Sequence, residues 1–268
     1  MNIKQKEEKI RELALSVLNS EEYKKEMEYL LSKTNLTKEE IIQAYLDYDL
    51  DVYAYENEIY ESLAMRFVLH LHNLLKGSWH IEKQKTVLDI LREIKNIGSI
   101  VDVGFGTPQK YVKDFVIKNK KIKLTLIDLY DSAFEFGRIL LEYWDKSWKN
   151  QVSFKKLDMN TREFVGEFDV YIFQDSIEHV KNAKEYLKKI VGLSPKNSKF
   201  IFSIPIAELT PVHTVTWHSM TEAEEWFEKC GLNVIKIKEI EMNPKVDLFA
   251  ESVKGGWRAA IVKCEKKK

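Results

Sequence analysis

The sequence predicts an α/β protein: a seven-stranded, mostly parallel sheet with an antiparallel terminal hairpin, preceded by a helical N-terminal extension. Three observations carry the prediction. Up to Leu75 the chain is charged, free of glycine and apolar at helical spacing. After Gly98, short β-rich runs alternate with amphipathic helical segments, the pattern of parallel βαβ units. The last two runs, Leu232–Lys238 and Trp257–Val262, are joined by a loop holding Pro244 and Gly255-Gly256, which pairs them antiparallel at the sheet edge. The extension is expected to occupy residues 1–83 and the sheet domain residues 84–268.

In the extension, Ile10, Leu13, Leu15 and Val17 open a helical pattern. Thr37-Lys38-Glu39-Glu40 reads as a capping box, with Leu36 and Ile41 as its hydrophobic staple, so a helix starts there. From Asp51 to Leu75 the apolar positions include Tyr53, Ile59, Leu63, Phe67 and Leu71, and Gly77 suits the helix end. His70 and His72 stand two apart and face different sides, so they form no metal pair. The aromatic residues Tyr53, Tyr55, Tyr60 and Trp79, with His80, either lid a cleft or pack on the partner of a homodimer. The remaining strands are expected at Ser99–Val103, Ile122–Ile127, Val152–Leu157, Phe168–Phe173 and Lys199–Ile204, with five crossover helices among the seven.

A chain of 268 residues with 44% hydrophobic content buries one core plus a helical layer without disulfides, and Cys230 and Cys264 match no zinc or redox spacing. Lysine plus arginine and aspartate plus glutamate both total 42, so no net field favours nucleic acid or an anionic membrane. No apolar run approaches the roughly 20 residues of a membrane span. The start MNIKQKEEKI leads into no signal-peptide core, and a cytoplasmic protein is expected.

Chemistry concentrates at the strand ends. Ile100 to Pro108 is a buried strand entering a glycine turn and then a helix that Pro108 begins. Gly104 and Gly106 let the backbone approach a ligand closely, and the helix N-terminus offers free amides. Gln109 stands where a third glycine would complete the dinucleotide fingerprint, which favours the shorter acidic-x-G-x-G pattern. Asp128 ends the second strand about twenty residues on, where a ribose diol lies. Its loss is expected to weaken ligand binding and spare folding. Asp158-Met159 ends the third strand with an acceptor and an apolar side chain, which adenine needs. Gln174-Asp175-Ser176-Ile177-Glu178-His179 follows the fourth strand at the topological switch point.

These four strand ends resemble the class I S-adenosylmethionine-dependent methyltransferase family over approximately Gly98 to Cys264. The resemblance implies a Rossmann-like fold and S-adenosylmethionine as cofactor. It implies that Asp102, Gly104, Gly106 and Thr107 lie under the methionine part, and that Asp128 binds ribose. Asp158 and Met159 would then meet adenine, while Gln174 and Asp175 border the transferred methyl. The Trp217–Phe227 run, followed by Lys229-Cys230-Gly231-Leu232, matches the family's late helix and its entry into strand six; Thr221 and Glu224 read as its capping box. Motif four is Q-D-S-I, not the tetrad of nucleobase amine methylases. Within the family, the length, the helical extension and the Gly104–Lys110 loop are similar to the pyridinol methyltransferases that build the iron-guanylylpyridinol cofactor of methanogenic archaea.

A sulfonium methyl is already activated, so positioning and water exclusion supply most of the catalysis and no metal is expected. His179, His213 and His218 are candidate proton acceptors, with His179 and His218 taken as catalytic. His213, Thr216 and Trp217 are expected to wall a small planar hydroxylated aromatic acceptor, a pyridinol in its most specific form. Two competing readings remain: a nicotinamide-dependent oxidoreductase, and a non-catalytic assembly protein that keeps a nucleotide fold.

Overall fold

The computed structural model describes residues 2–50, 61–162, 166–207, 213–248 and 258–267. Tyr53, Tyr55, Ile59, Tyr60 and Gly255-Gly256, singled out above, lie outside them. The extension holds α1 (Ile3–Leu18), α2 (Lys24–Thr34), α3 (Lys38–Leu50), α4 (Leu63–Leu74) and α5 (Trp79–Glu93). The expected capping box starts α3: the Glu40 amide donates to Thr37 Oγ1 at 3.2 Å, and the Thr37 amide to Glu40 Oε2 at 2.7 Å. Gly77, at φ +83°, makes the turn between α4 and α5 in a left-handed conformation that only glycine adopts without strain.

The extension is not a separate layer. Ile10, Leu30, Ile41, Phe67 and Leu71 share one buried cluster with Phe136 and Leu140 of α6 (Asp131–Trp144), the helix after the second strand. Each fully buried side chain of this size contributes about 1.5–3 kcal/mol. The boundary expected between residues 83 and 84 falls inside α5, whose buried stripe runs from Trp79 to Leu91 with no glycine or proline to break it. The first amide of α5, Trp79, donates to the Asp247 carboxylate at 3.2 Å, a cap supplied from 168 residues away where Ser78 supplies none.

The strands are β1 (Ser99–Val103), β2 (Lys123–Asp128), β3 (Val152–Lys156), β4 (Val170–Gln174), β5 (Lys199–Ile206), β6 (Leu232–Glu241) and β7 (Arg258–Lys266). Their order is β3-β2-β1-β4-β5-β7-β6, and β7 runs antiparallel to both its neighbours. The seven-stranded, mostly parallel sheet with its terminal hairpin is therefore as the sequence predicts. Local details differ. The chain after β1 stays in a loop to Gln109, because the Gln84 side chain accepts the Lys110 amide at 2.8 Å; a short π-helical stretch, Val112–Val116, replaces a helix begun at Pro108. Between β3 and β4 the described residues contain no helix, so the expected five crossovers are too many. The last helices are α7 (Ala183–Leu193) and α8 (Met220–Lys229), and α8 is capped by Ser219, whose Oγ accepts the Glu222 amide at 3.1 Å, not by Thr221. Both cysteines are buried and free, and no helix among the described residues is long and apolar enough to cross a membrane.

Candidate active site

β1 and β4 are neighbours in the sheet, and the chain leaves β1 towards β2 on one side and β4 towards β5 on the other. At this switch point the carboxyl edge opens into a cavity of about 520 Å³, within the range of about 300–1,000 Å³ typical of small-molecule sites. The loops after β1 to β4 line its floor, and α4 and α5 close it from above with Arg66, Asn73, Trp79, His80 and Lys83.

The glycine loop is built by close approach. Gly104 and Gly106 sit at φ +74° and +58°, and a Cβ on Gly104 would stand 2.5 Å from Ser176 Cβ. Only glycine lets the loops after β1 and β4 touch here. Asp128 holds the same loop: its Oδ2 accepts the Gly106 amide at 2.9 Å, while Oδ1 accepts those of Leu129 at 2.8 Å and Tyr130 at 3.1 Å. Beside it, Arg66 donates to Ser132 Oγ at 3.0 Å and lies over the Tyr130 ring at 5.0 Å. Asp158 and Met159 line the cavity from the β3 end, with Asp158 Oδ1 accepting the Asn160 amide at 2.8 Å. Asp102 does not line it. It lies underneath, where it accepts the Tyr111 hydroxyl at 2.7 Å; burial, helped by the Asp128 charge, pushes its carboxyl up to about 7.

Several buried polar atoms around the cavity have no hydrogen-bond partner among the described residues: Thr107 Oγ1, Gln109 Oε1, Gln174 Oε1, Trp79 Nε1, His80 Nε2 and Glu178 Oε2. Buried polar groups are ordinarily paired, so a cavity lined by orphans is one that a polar ligand completes. The fit to a nucleoside cofactor is good on this observation, because three of these groups, on Thr107, Gln109 and Gln174, flank the glycine loop and the end of β4.

The methyl-facing end expected from the sequence is more charged than the motifs indicate. Asp175 adopts φ +48°, a left-handed conformation unusual for a non-glycine residue and common at functional sites. Its carboxylate is held by the Lys83 ammonium and by Ser203 Oγ, which donates at 2.5 Å. Lys83 is itself buried and lies over the Trp79 ring, 4.3 Å from its centroid. Glu178 is 1% exposed, and burial, then the Asp175 charge, pushes its carboxyl well above the usual range. His179 and His213 meet edge to face, centroids 5.0 Å apart; burial, then the His179 charge, lowers the His213 imidazole to about 3.

Of the residues the sequence singles out, Gly104, Gly106, Thr107, Asp128, Asp158, Met159, Gln174, Asp175, His179 and His213 line one cavity. Thr216, Trp217 and His218 do not, which corrects both the wall expected from Thr216 and Trp217 and the catalytic place expected for His218. Trp217 is fully buried against Trp226 and Phe227, because its backbone bridges back to Ile206 at the end of β5. His218 is outside, its side chain 65% exposed and tied to Glu222 at the start of α8. Arg66 and Lys83 are not singled out by the sequence, and Glu178 is named there only as part of the run after β4. For Lys83 a signal exists: Trp79, His80, Lys83 and Gln84 put polar groups on the buried stripe of α5.

No family model and no curated protein matches the sequence. Solved structures do match in three dimensions. The [4+2]-cyclase SpnF superimposes with a TM-score of 0.58 at 12% identity, over 72% of this chain and 83% of that one. The Synechocystis magnesium protoporphyrin IX methyltransferase, solved with S-adenosylhomocysteine (SAH), gives a TM-score of 0.52 at 13% identity over 72% and 87% of the two chains. The Burkholderia thailandensis 1,6-didemethyltoxoflavin-N1-methyltransferase, solved with its acceptor and SAH, gives 0.51 at 14% identity over 76% and 90%. The fold is the Rossmann-like methyltransferase fold. Because the same fold is named for a cyclase in one of these structures, the likeness carries architecture and not a reaction.

Proposed function

We infer that this chain is an S-adenosylmethionine-dependent methyltransferase acting on a small planar hydroxylated aromatic acceptor. The observation that carries the reading is the cavity at the switch point, where two left-handed glycines and a strand-end carboxylate stand beside the orphaned Thr107 Oγ1 and Gln174 Oε1. When bound, S-adenosylmethionine supplies a sulfonium methyl, whose C–S bond breaks with its electron pair left on sulfur as the acceptor takes the methyl and releases a proton. The SAH in the two compared methyltransferases supports this cofactor.

The residues divide the work by position. Gly104 and Gly106 admit the cofactor backbone closely, and Thr107 and Gln174 offer a hydroxyl and an amide to its amino-acid end. Asp128 has about four lone-pair sites; three accept amides of the glycine loop and of its own turn, which leaves one for a ribose hydroxyl. Asp158 and Met159 supply an acceptor and an apolar wall for adenine. Asp102 acts from below by holding Tyr111, and is a positioning residue. Asp175, compensated by Lys83, borders the methyl, and α4 and α5 exclude water from it. The acceptor end is lined by Glu178, His179 and His213. A pyridinol methylated on a ring carbon is the most specific form of the acceptor reading, and the feature behind it is the Gly104–Lys110 loop.

Calorimetric titration tests the cofactor. SAH and S-adenosylmethionine are expected to bind at micromolar scale, and nicotinamide dinucleotides not to bind; the reverse result overturns the reading. A screen with labelled cofactor against hydroxypyridines, phenols, transfer RNA and cell-extract proteins tests the acceptor. Label entering only RNA or protein would remove the small aromatic while leaving methyl transfer in place.

A further inference from the structure

After Asp175 the chain makes one 3-10 turn, Ile177–His179, instead of continuing as strand. The turn brings the consecutive side chains of Glu178 and His179 to the same cavity, where a strand would send them to opposite faces. A third group arrives from the far side of β5. The Thr214 amide donates to the Glu178 carbonyl at 2.7 Å, and the Thr214 hydroxyl lies 3.0 Å and 2.6 Å from the carbonyls of Glu178 and Val180. This clamp sets His213 against the turn. One ligand atom from each of Glu178, His179 and His213 then lies within 4.8 Å of the other two.

Glu178 makes this more than a chance cluster. It is 1% exposed, it lines the cavity, and its Oε2 accepts no hydrogen bond among the described residues. Leaving a buried carboxylate oxygen bare is costly, and two imidazoles beside it complete the donor set of three-ligand metal sites. Asp175 stays outside the set, because Lys83 and Ser203 already hold its oxygens.

We propose that Glu178, His179 and His213 bind a divalent cation of the Zn²⁺ kind at the acceptor end of the cavity, and that this cation takes the acceptor's hydroxyl oxygen. Imidazole nitrogens favour such ions over Mg²⁺ or Ca²⁺. Small side-chain rotations close the cluster to bonding distances of about 2.0–2.2 Å, and three protein ligands leave a position open for water or the acceptor. At that position the acceptor's O–H bond breaks, the proton leaves to solvent, and the oxyanion stays on the cation, with no protein base required. The second half of the proposal rests on the methyltransferase reading; the binding of the cation does not. It revises the expectation of metal-free transfer and turns His179 from a proton acceptor into a ligand.

The test uses the full chain, stripped with chelator and titrated with Co²⁺, read by its visible absorption, and with Zn²⁺, read by calorimetry. SAH binding is measured in parallel. The wild type is expected to take up one equivalent, and His213→Ala and Glu178→Gln each to bind at least about a hundredfold more weakly, with SAH binding unchanged. Cation should also raise the Tm of the wild type and not that of His213→Ala, which separates ligand loss from misfolding. No stoichiometric uptake by the wild type, or equal affinity in both variants, overturns the site. Cation uptake without SAH binding would leave the site standing and sink the methyltransferase reading; SAH binding without cation uptake does the reverse.

Discussion

Asp128 and Glu178 are both buried carboxylates on the rim of one cavity, 6% and 1% exposed, and they are solvated by the protein in opposite ways. Asp128 accepts three backbone amides, whereas Glu178 Oε2 accepts none. A filled carboxylate organises its surroundings before any ligand arrives and has little capacity left to give. An unpaired carboxyl oxygen keeps its capacity for a ligand. The β1–β2 end of the cavity is thus held by the protein's own amides, whereas the β4 end keeps an unpaired carboxyl oxygen.

The largest expected effect comes from forcing these two ends apart. Gly104→Ala puts a Cβ 2.5 Å from Ser176 Cβ at a backbone φ of +74°. The left-handed conformation costs about 1–2 kcal/mol and the overpacking about 1–3 kcal/mol, so urea unfolding should show a loss of about 2–5 kcal/mol, with SAH binding abolished. Gly106→Ala sharpens the contrast: its Cβ would meet nothing closer than Leu69 at 3.5 Å, so only the conformational term of about 1–2 kcal/mol remains. Equal losses in the two variants would mean that the Ser176 contact does not define the cavity.

A filled carboxylate outside the cavity tests the same logic by pH. Glu26 of α2 accepts from His70 Nε2 at 2.8 Å and from Trp144 Nε1 at 3.1 Å, with Lys113 Nζ 3.6 Å away. Burial pushes its carboxyl up, but the His70 hydrogen bond and charge, Lys113 and Trp144 together outweigh burial and hold it at about 2, against an ordinary value of 4.5. A depressed value means stability that is present above the unfolded value and lost as pH falls through the folded one. Stability should therefore drop by about 3 kcal/mol between pH of about 4.5 and 2, a drop that Glu26→Gln removes. By contrast Asp49, with neither oxygen hydrogen-bonded among the described residues, is pushed by burial to about 8 and gives no such acid limb. A pH profile identical in wild type and Glu26→Gln would sink this account of how α2 is fixed to α4 and α6.

How much of this was legible depends on whether a residue acts where the chain places it or where the fold carries it. Gly104, Asp128 and Asp158 follow their own strands, so strand position alone predicts that they meet. Lys83 reaches the same cavity from α5, and nothing in motif spacing says that a helix before the sheet lies across its carboxyl edge. Trp217 fails the other way. It follows β5 in sequence, but the bridge to Ile206 returns it to the core, so a position after a strand does not guarantee a place at the strand's end. Glu178 stands next to His179 in the run after β4, an adjacency the sequence displays, and only the Thr214 clamp reveals His213 as the third member.

Asp128→Ala measures the filled end directly. The sequence alone makes Asp128 a ribose ligand whose loss spares folding, whereas its three accepted amides make it a support for the glycine loop as well. Truncation should cost about 2 kcal/mol of stability, one to two charge-assisted hydrogen bonds after water replaces the rest, and weaken SAH more than about tenfold. Normal SAH binding at reduced stability would make Asp128 scaffold only, and the comparison with Glu178 would then be between a structural and a functional acid.

The smallest effect is expected at His218, and it sharpens the comparison by its contrast with His213. Both imidazoles follow β5, but His213 is 8% exposed beside Glu178, whereas the His218 side chain is 65% exposed at the start of α8. Its ring nitrogen lies 3.1 Å from Glu222 Oε2, and that oxygen also accepts the His218 amide at 2.8 Å, so the helix keeps its capping contact when the ring is removed. An exposed pair of this kind contributes little, and His218→Ala should change stability by less than about 0.5 kcal/mol. Methyl transfer and its pH profile should be unchanged, because the ring lines no part of the cavity. The measurement is a side-by-side labelled-methyl assay of His218→Ala and His213→Ala once an acceptor is found by the screen. If His218→Ala loses transfer while SAH binding and stability hold, the segment from Thr216 to Ser219 reaches the acceptor after all, and the cavity's chemical end extends beyond the turn that holds Glu178.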